Sequence, residues 1–498
     1  MKAVTAEEMR RAEAAAMADG WTEGNLLRLA GRRLGWAIGR FFPTAGTAVA
    51  YLGKGHNAGD AVVALGVLRD HFGWNIAART AFPEPQWVPL LREVWQETGP
   101  LPLLTHAPHT AESKLPLLLI DGLAGIGLHG PLSETMAAMV REIAGLRNEC
   151  GTTVAAVDVP SGIDPDSGLP TGDAVVADAT FSIGNIKSGL LKSAAVDFTG
   201  ALSLVPVEPL AADGGGNLAA ITPQSMPSRL RPRPHDTHKG RSGRVDILAG
   251  SAEYPGAAVL CATAALRAGA GLVFLHVPDE AADGVLSRCP PEIIVRSIRS
   301  PEELFVEPAD AFVVGCGLGA WARRNAAELV RAIREEPRPV VVDADALNAF
   351  AGSGGLELLG PQHVLTPHPG EFRRLAPNLT DLPREEAVEA FVRHSPCTLL
   401  LKGARSLVCQ TAGEIHANTT GHSGMAKGGQ GDWLAGIIGA LLAAGQPPLV
   451  ASCLGAWIAG RCGELGAWHH GHSQESLCPS DFAVWMGRAF QDWKQACR

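Results

Sequence analysis

Six short, largely apolar runs recur in the first 207 residues: TAVAYL, NIAART, LPLLLID, TTVAAVDV, ADATFSI and ALSLVPV. Each is strand-length, and stretches long enough for a helix separate them. A strand that is apolar on both faces has no side for water. It belongs in a mostly parallel sheet covered by helices on both sides. A second series follows: GRVDILAG, GLVFLHV, DAFVVG, RPVVVDAD, HVLTP and TLLLKG, with helical patterns such as Ala257–Gly269 and Trp321–Glu335 between them. The chain is therefore expected to form two α/β domains, each with its own sheet. The stretch between them is rich in Gly and Pro and lacks a period. This places the domains at 1–210 and 235–498, with a linker at 211–234.

The net charge of −9 gives no basic footprint for nucleic acid and no polybasic patch for a membrane surface. The N-terminus is charged and helical in pattern, without the apolar core of a signal peptide, and no apolar run reaches spanning length. Ten cysteines are scattered with no CxxC pair. They read as reduced thiols in a cytoplasmic protein.

In open α/β sheets, ligands sit beyond the C-terminal ends of the strands, so the strand exits carry the chemistry. In the first domain, YLGKGHNAGDA forms a strand–turn–helix with the spacing of a dinucleotide fingerprint. The next strand ends at Arg79 where such a site wants an acid, and Asp60 inside the turn would repel a pyrophosphate. Two further exits carry Asp121 and Asp158, the latter three residues before Ser161. Isolated acids at strand ends are usually turn formers. Three exits bearing oxygen ligands also suit a hard cation such as K+, with Asn57, Asp121 and Ser161 converging on it.

The second domain has no P-loop. Its anion-binding candidate is GGQGDWLAGIIGALLAAG, where glycines open the backbone and a helix directs its positive end at the turn. Asp432 there is either a helix-start acid or the base for a hydroxyl attacking a phosphate. LLLKGARSL supplies Lys402 and Ser406, VVGCGLGAW supplies three glycines, VLTPHPGEF holds His368 in a rigid loop, and DADALN reads as a helix start with Asp345 as cap.

The ordered set GKGHNAGD, DGLAGIGL, DVPSGIDPDSG and FSIGNIKSGLL, over about Val4–Pro206, resembles the N-terminal domain of bifunctional NAD(P)H-hydrate repair enzymes. HKGRSGRVDILAGS, GCGLG, DADALN, TPHPGE, LKGARS and MAKGGQGD resemble their ribokinase-like C-terminal domain. The resemblance implies a Rossmann-like three-layer domain followed by a ribokinase-like one. It implies epimerisation of the R and S hydrates of NADH and NADPH, and nucleotide-dependent dehydration of the S hydrate. For the epimerase it implies K+ on Asn57, Asp121 and Ser161. It also implies substrate contacts at His56, Asn57, Ala58, Gly59, Asp60, at Gly125, Ile126, Gly127, Leu128, His129, Gly130, Pro131, and at Asp158. Asp158 is the first acid–base candidate, helped by Asp60 and Lys187. For the dehydratase it implies hydrate contacts at Ala257, Gly319, His368 and the catalytic Asp432. The adenine nucleotide, ADP or ATP with Mg2+, falls to Lys402, Gly403, Ala404, Arg405, Ser406 and Gly431. Cys316 stands where the family carries Pro. Repair enzymes of this kind also imply a homo-oligomer. Two alternatives stay open: a kinase of a vitamin precursor with the same fold, and a first domain that only binds or assembles.

Overall fold

The computed structural model describes residues 2–108, 115–128, 130–226, 230, 233–353, 355–410 and 412–496. Two compact units divide between Ala220 and Ile221.

In the first unit, β1 (Thr47–Leu52), β2 (Asn75–Thr80), β3 (Leu117–Gly122), β4 (Thr153–Val157), β5 (Ala179–Ile183) and β6 (Ala201–Val205) coincide with the six apolar runs. They pair in the order β2-β1-β3-β4-β5-β6, every pair parallel. The order turns about at β1 and β3, which opens a crevice beyond their C-terminal ends. One face is filled by Val49, Leu119, Val154 and the helix Glu134–Cys150, through Met139, Val140 and Ile143. Helices α1 (Ala6–Ala18), α2 (Glu23–Phe41) and α3 (His56–Phe72) precede and follow β1. α2 and α3 pack tightly because glycines face the contact. A Cβ at Gly31 or Gly35 would stand 2.6 Å from the Cβ of Val63 or Val67. The result is the three-layer arrangement expected of buried parallel strands.

The residues expected as a linker, 211–234, hold one strand, β7 (Leu218–Ile221). The second sheet comprises β8 (Arg244–Leu248), β9 (Leu272–Pro278), β10 (Ile294–Ile298), β11 (Ala311–Val314), β12 (Val340–Val342), β13 (His363–Leu365), β14 (Thr398–Leu401), β15 (Leu407–Cys409) and β16 (Ile415–Asn418). Its order is β10-β9-β8-β11-β12-β13-β14-β15-β16-β7. Strands β8 to β14 pair in parallel, and β15 and β16 add an antiparallel edge. The helices Pro255–Arg267 and Gln430–Ala443 cover one face. They approach so closely that a Cβ at Gly436 would lie 2.1 Å from the carbonyl oxygen of Cys261.

Candidate active sites

In the first unit the glycine turn after β1 exists because β3 exits beside it. A Cβ at Gly53 would stand 2.0 Å from Leu123 O, so no other residue fits. α3 then starts with Gly55 as its cap residue; its first turn carries His56 and Asn57, and Asp60 follows one turn on from His56. Ala58, Gly59 and Ala61 are buried against the sheet and α2, and Gly122 leaves the room that Ala61 fills.

Asn57, Asp121 and Ser161 come together at the β1/β3 crevice. Both oxygens of the buried Asp121 accept from Ser161, Oδ2 from its backbone N–H at 2.8 Å and Oδ1 from its hydroxyl at 2.7 Å. Leu123 N–H donates to the same Oδ1 at 3.2 Å. Asn57 Nδ2 donates to Ala124 O at 3.0 Å, and Ala124 N–H donates to Ser161 Oγ at 2.9 Å. Burial pushes the Asp121 carboxyl up to about 6, against the opposing pull of these bonds. The loop after β3 begins here. Leu128 N–H bonds Gly125 O, Ile126 O accepts from Arg10, and Gly130 O accepts from Thr171. Gly127 and Pro131 belong to the same loop, and His129 lies outside the described residues.

Asp158 and Lys187 meet elsewhere in the unit. Asp158 leaves β4 in the left-handed region, φ 64°, which costs a non-glycine residue of order 1–3 kcal/mol unless its surroundings hold it. They do: Asp158 Oδ1 accepts from Ile183 N–H at 2.9 Å and from the ammonium of Lys187. Lys187, 1% exposed, donates also to Ile183 O at 2.8 Å. This ion pair lines a cavity of about 130 Å3 together with Asp60, His56, Glu13 and Glu23. Burial and the nearby charges of Asp158 and Glu13 push the Asp60 carboxyl well above its ordinary range. Its Oδ1 is buried without a partner. The cavity thus holds a buried carboxyl that binds its proton more tightly than usual, a carboxylate paired to an ammonium, and two more carboxyl groups on α1 and α2. Glu13 and Glu23 escaped the sequence reading because they sit in helices with no motif. Arg79, where a dinucleotide site would want an acid, is bound to Glu142 at 2.5 and 2.7 Å.

In the second unit the helix Gln430–Ala443 starts after Gly429, whose φ of 95° requires glycine, and Asp432 lies in its first turn. Gly431 faces the ion pair between Lys402 and the buried Asp343, 2.7 Å apart, and a Cβ there would stand 3.1 Å from Nζ of Lys402. Burial works against the Lys402 ammonium, but the charges of Asp343 and Glu371 outweigh it and raise its pKa. Burial and the Asp343 charge push Asp432 up to about 7, against opposing contributions from Cys316 and Lys402. Asp432 is therefore balanced between acid and base forms at neutral pH.

The β11 exit reaches the same place. Gly315, Gly317 and Gly319 all have positive φ, and a Cβ at Gly315 would strike Asp343 O at 1.8 Å. Gly317 lies against Ala257 and Tyr254. Asp345 is committed across the exits, accepting from Gly319 N–H at 2.8 Å, which corrects its reading as a simple helix cap. His368 caps the helix Pro369–Leu375, accepting from Gly370 N–H at 3.0 Å, while Glu371 accepts from His368 N–H at 2.8 Å. Half of the His368 side chain stays open to solvent. Of the run Lys402–Ser406, Gly403 and Ala404 are exposed. Arg405 turns inward, 2% exposed, and donates to Asn418 O at 3.0 Å. Ser406 donates to Gly403 O at 3.2 Å.

Among the described residues no helix is long and apolar enough to cross a membrane, and no group of three His, Cys, Asp or Glu is placed to hold a metal ion.

A family model described as YjeF-related protein N-terminus matches residues 23–189, and one described as NAD(P)H-hydrate dehydratase matches 245–479. A bifunctional NAD(P)H-hydrate repair enzyme of Gloeobacter violaceus is 34% identical over 489 residues, covering 94% of each chain. That of Escherichia coli is 30% identical over 482 residues, covering 94% of this chain and 90% of its own. An ADP/ATP-dependent NAD(P)H-hydrate dehydratase of Bacillus subtilis, crystallised with ATP and Mg2+, is 27% identical with a TM-score of 0.45. It covers 53% of this chain and 94% of its own. Both bifunctional repair enzymes match across the two units, which favours repair over the vitamin-precursor kinase and over a first domain that only binds or assembles. With both sets of strand exits matched in one chain, the protein belongs to the bifunctional NAD(P)H-hydrate repair enzymes, pairing an epimerase domain with a dehydratase domain.

Proposed function

We propose that Asp432 is the base of the dehydratase and that the Asp158–Lys187 pair, with Asp60, runs the epimerase. The observation that carries the first assignment is a carboxyl with pKa about 7 in the first turn of a helix, beside a lysine that could meet a phosphate. Asp432 would take the proton from the hydroxyl of the S hydrate, which then attacks the terminal phosphate of ADP or ATP. Phosphate leaves from the ring carbon, pushed by the ring nitrogen, and NADH or NADPH is restored. Gly431 and the backbone of Lys402–Ser406 would cradle the nucleotide, with the Lys402 ammonium on its phosphates. Ala257, Gly319 and the exposed face of His368 would hold the hydrate. Mg2+ would come bound to the nucleotide phosphates and water, as suits a cation that seldom takes an all-protein cage.

In the epimerase, Asp60 would give a proton to the leaving hydroxyl, and Asp158, oriented by Lys187, would take one from the water that returns on the other face. His56, Ala58, Gly59 and the loop of Gly125–Pro131 would surround the substrate. K+ suits Asn57, Asp121, Ser161 and the Ala124 carbonyl, because every donor they offer is a hard oxygen and one carries charge. Bound there, it would supply a fixed positive charge that orders the loop after β3. We place the protein in the cytoplasm as a homo-oligomer acting on small molecules, with neither nucleic acid nor membrane as partner. Its described cysteines form no disulfide, which agrees with a reducing compartment.

The test follows NADH absorbance from a mixed-epimer NADH hydrate with ADP or ATP, Mg2+ and K+. Complete recovery by the wild type and none by Asp432→Asn is the expected result. Undiminished recovery by Asp432→Asn would remove Asp432 from the reaction.

A further inference from the structure

The epimerase cavity contains a carboxyl that no part of the reaction above employs. Glu13 lies on α1, outside the residues matched by the family model for this domain. It lines the cavity at one-turn spacing with Met9 and Met17. Met9 is 2% exposed and Met17 is 47% exposed, so this helix face runs from the cavity floor to its mouth. Glu13 stands between them, half-buried. The charged and titratable groups around it are Arg10 on its own helix, Glu23 on α2, His56 and Asp60 on α3, Asp158 after β4, and Lys187. Asp60 Oδ1, unpartnered, and Asp158 lie at the buried end.

Epimerisation sets a requirement on this cavity. The acid protonates the leaving hydroxyl, which departs as water with the C–O electron pair while the nitrogen lone pair fills the carbon. Water then adds from the opposite face and loses a proton to the base. The substrate is inverted with no net change in atoms or charge, but the acid ends ionised and the base protonated. A proton must return from one to the other before the next turnover, and buried groups exchange slowly with solvent unless something connects them.

We propose that Glu13 is that connection, a proton relay between the buried Asp60–Asp158 pair and solvent. This rests on the cavity being the epimerase site. Burial and the Asp158 charge hold the Glu13 carboxyl above its ordinary range, closer to neutrality, as a relay needs.

The experiment compares wild type, Glu13→Gln and Glu13→Asp on purified R hydrate of NADH, following the R-to-S ratio by chromatography at low buffer concentration. Glu13→Gln should lose about tenfold or more in kcat with KM little changed. Formate or acetate should restore the rate saturably, since a small acid can enter and carry the proton. Glu13→Asp should retain most of the rate, and thermal melting checks that both variants are folded. A Glu13→Gln enzyme with unaltered kcat would overturn the relay. So would a loss that appears in KM and is deaf to added acid, which would make Glu13 a binding residue. If the wild type itself fails to convert R hydrate, the assignment of the cavity has failed, and the relay with it.

Discussion

Asp158 shows how much one carboxylate can be asked to do. Its backbone is left-handed, and its side chain ties the β5 exit to a lysine that is almost wholly buried. Replacing it by Asn would leave the Lys187 charge with only a carbonyl partner, a loss of about 3–5 kcal/mol in folding free energy. Urea denaturation should show this for Asp158→Asn, with much of it recovered in the double variant Asp158→Asn/Lys187→Met. At Asp432 the effect is on titration. Its pKa of about 7 is raised first by burial and then by Asp343, so dehydratase kcat/KM should fall as pH drops through 7 and the base is protonated. Asp343→Asn removes the neighbouring negative charge and frees Lys402 to face Asp432, so this limb should move to lower pH. A pH profile with an unmoved limb would assign it to another group. The sequence made Asp158, Asp432 and Lys402 legible because each leaves an apolar strand or opens a glycine turn. It could not show Glu13, whose neighbours along α1 look like any surface helix, nor that Arg405 would turn inward.

At the scale of elements, all six strands of the first sheet and six of the second could be read from continuous apolar runs. β7, β10, β15 and β16 could not. β15 and β16 are three and four residues long and pair antiparallel, so they need no helix-length crossover to announce them. β10 is an edge strand whose residues are mostly exposed, and its apolar run is broken by Arg296 and Ser297. α1 is the element through which the first site can be tested without replacing any residue of its cavity. Thr5 caps it, accepting from Glu8 N–H at 3.1 Å, and Glu8 returns the bond to Thr5 N–H at 2.7 Å. Thr5→Ala should cost about 1 kcal/mol. Because Met9, Glu13 and Met17 line the cavity, frayed ends should lower the epimerase kcat/KM while dehydratase kinetics stay as they were.

At the scale of the whole molecule, an epimerase domain and a dehydratase domain act in sequence on one small substrate. The dehydratase consumes the S hydrate, so the epimerase matters only by feeding it. Nothing in this logic demands that a single chain perform both steps on the same substrate molecule. Asp432→Asn should leave a chain that epimerises but cannot dehydrate. Asp60→Asn replaces the carboxyl by an amide that cannot give up a proton, leaving a chain that dehydrates S hydrate but converts R only slowly. Alone on a mixed-epimer NADH hydrate, the first should restore no NADH, and the second should stop near the share of S. An equal mixture of the two should run to completion, because the hydrate is free to leave one protein and enter the other. A mixture that stops where Asp60→Asn stops, although Asp432→Asn alone inverts the R form, would mean that the substrate passes between sites within one chain without release.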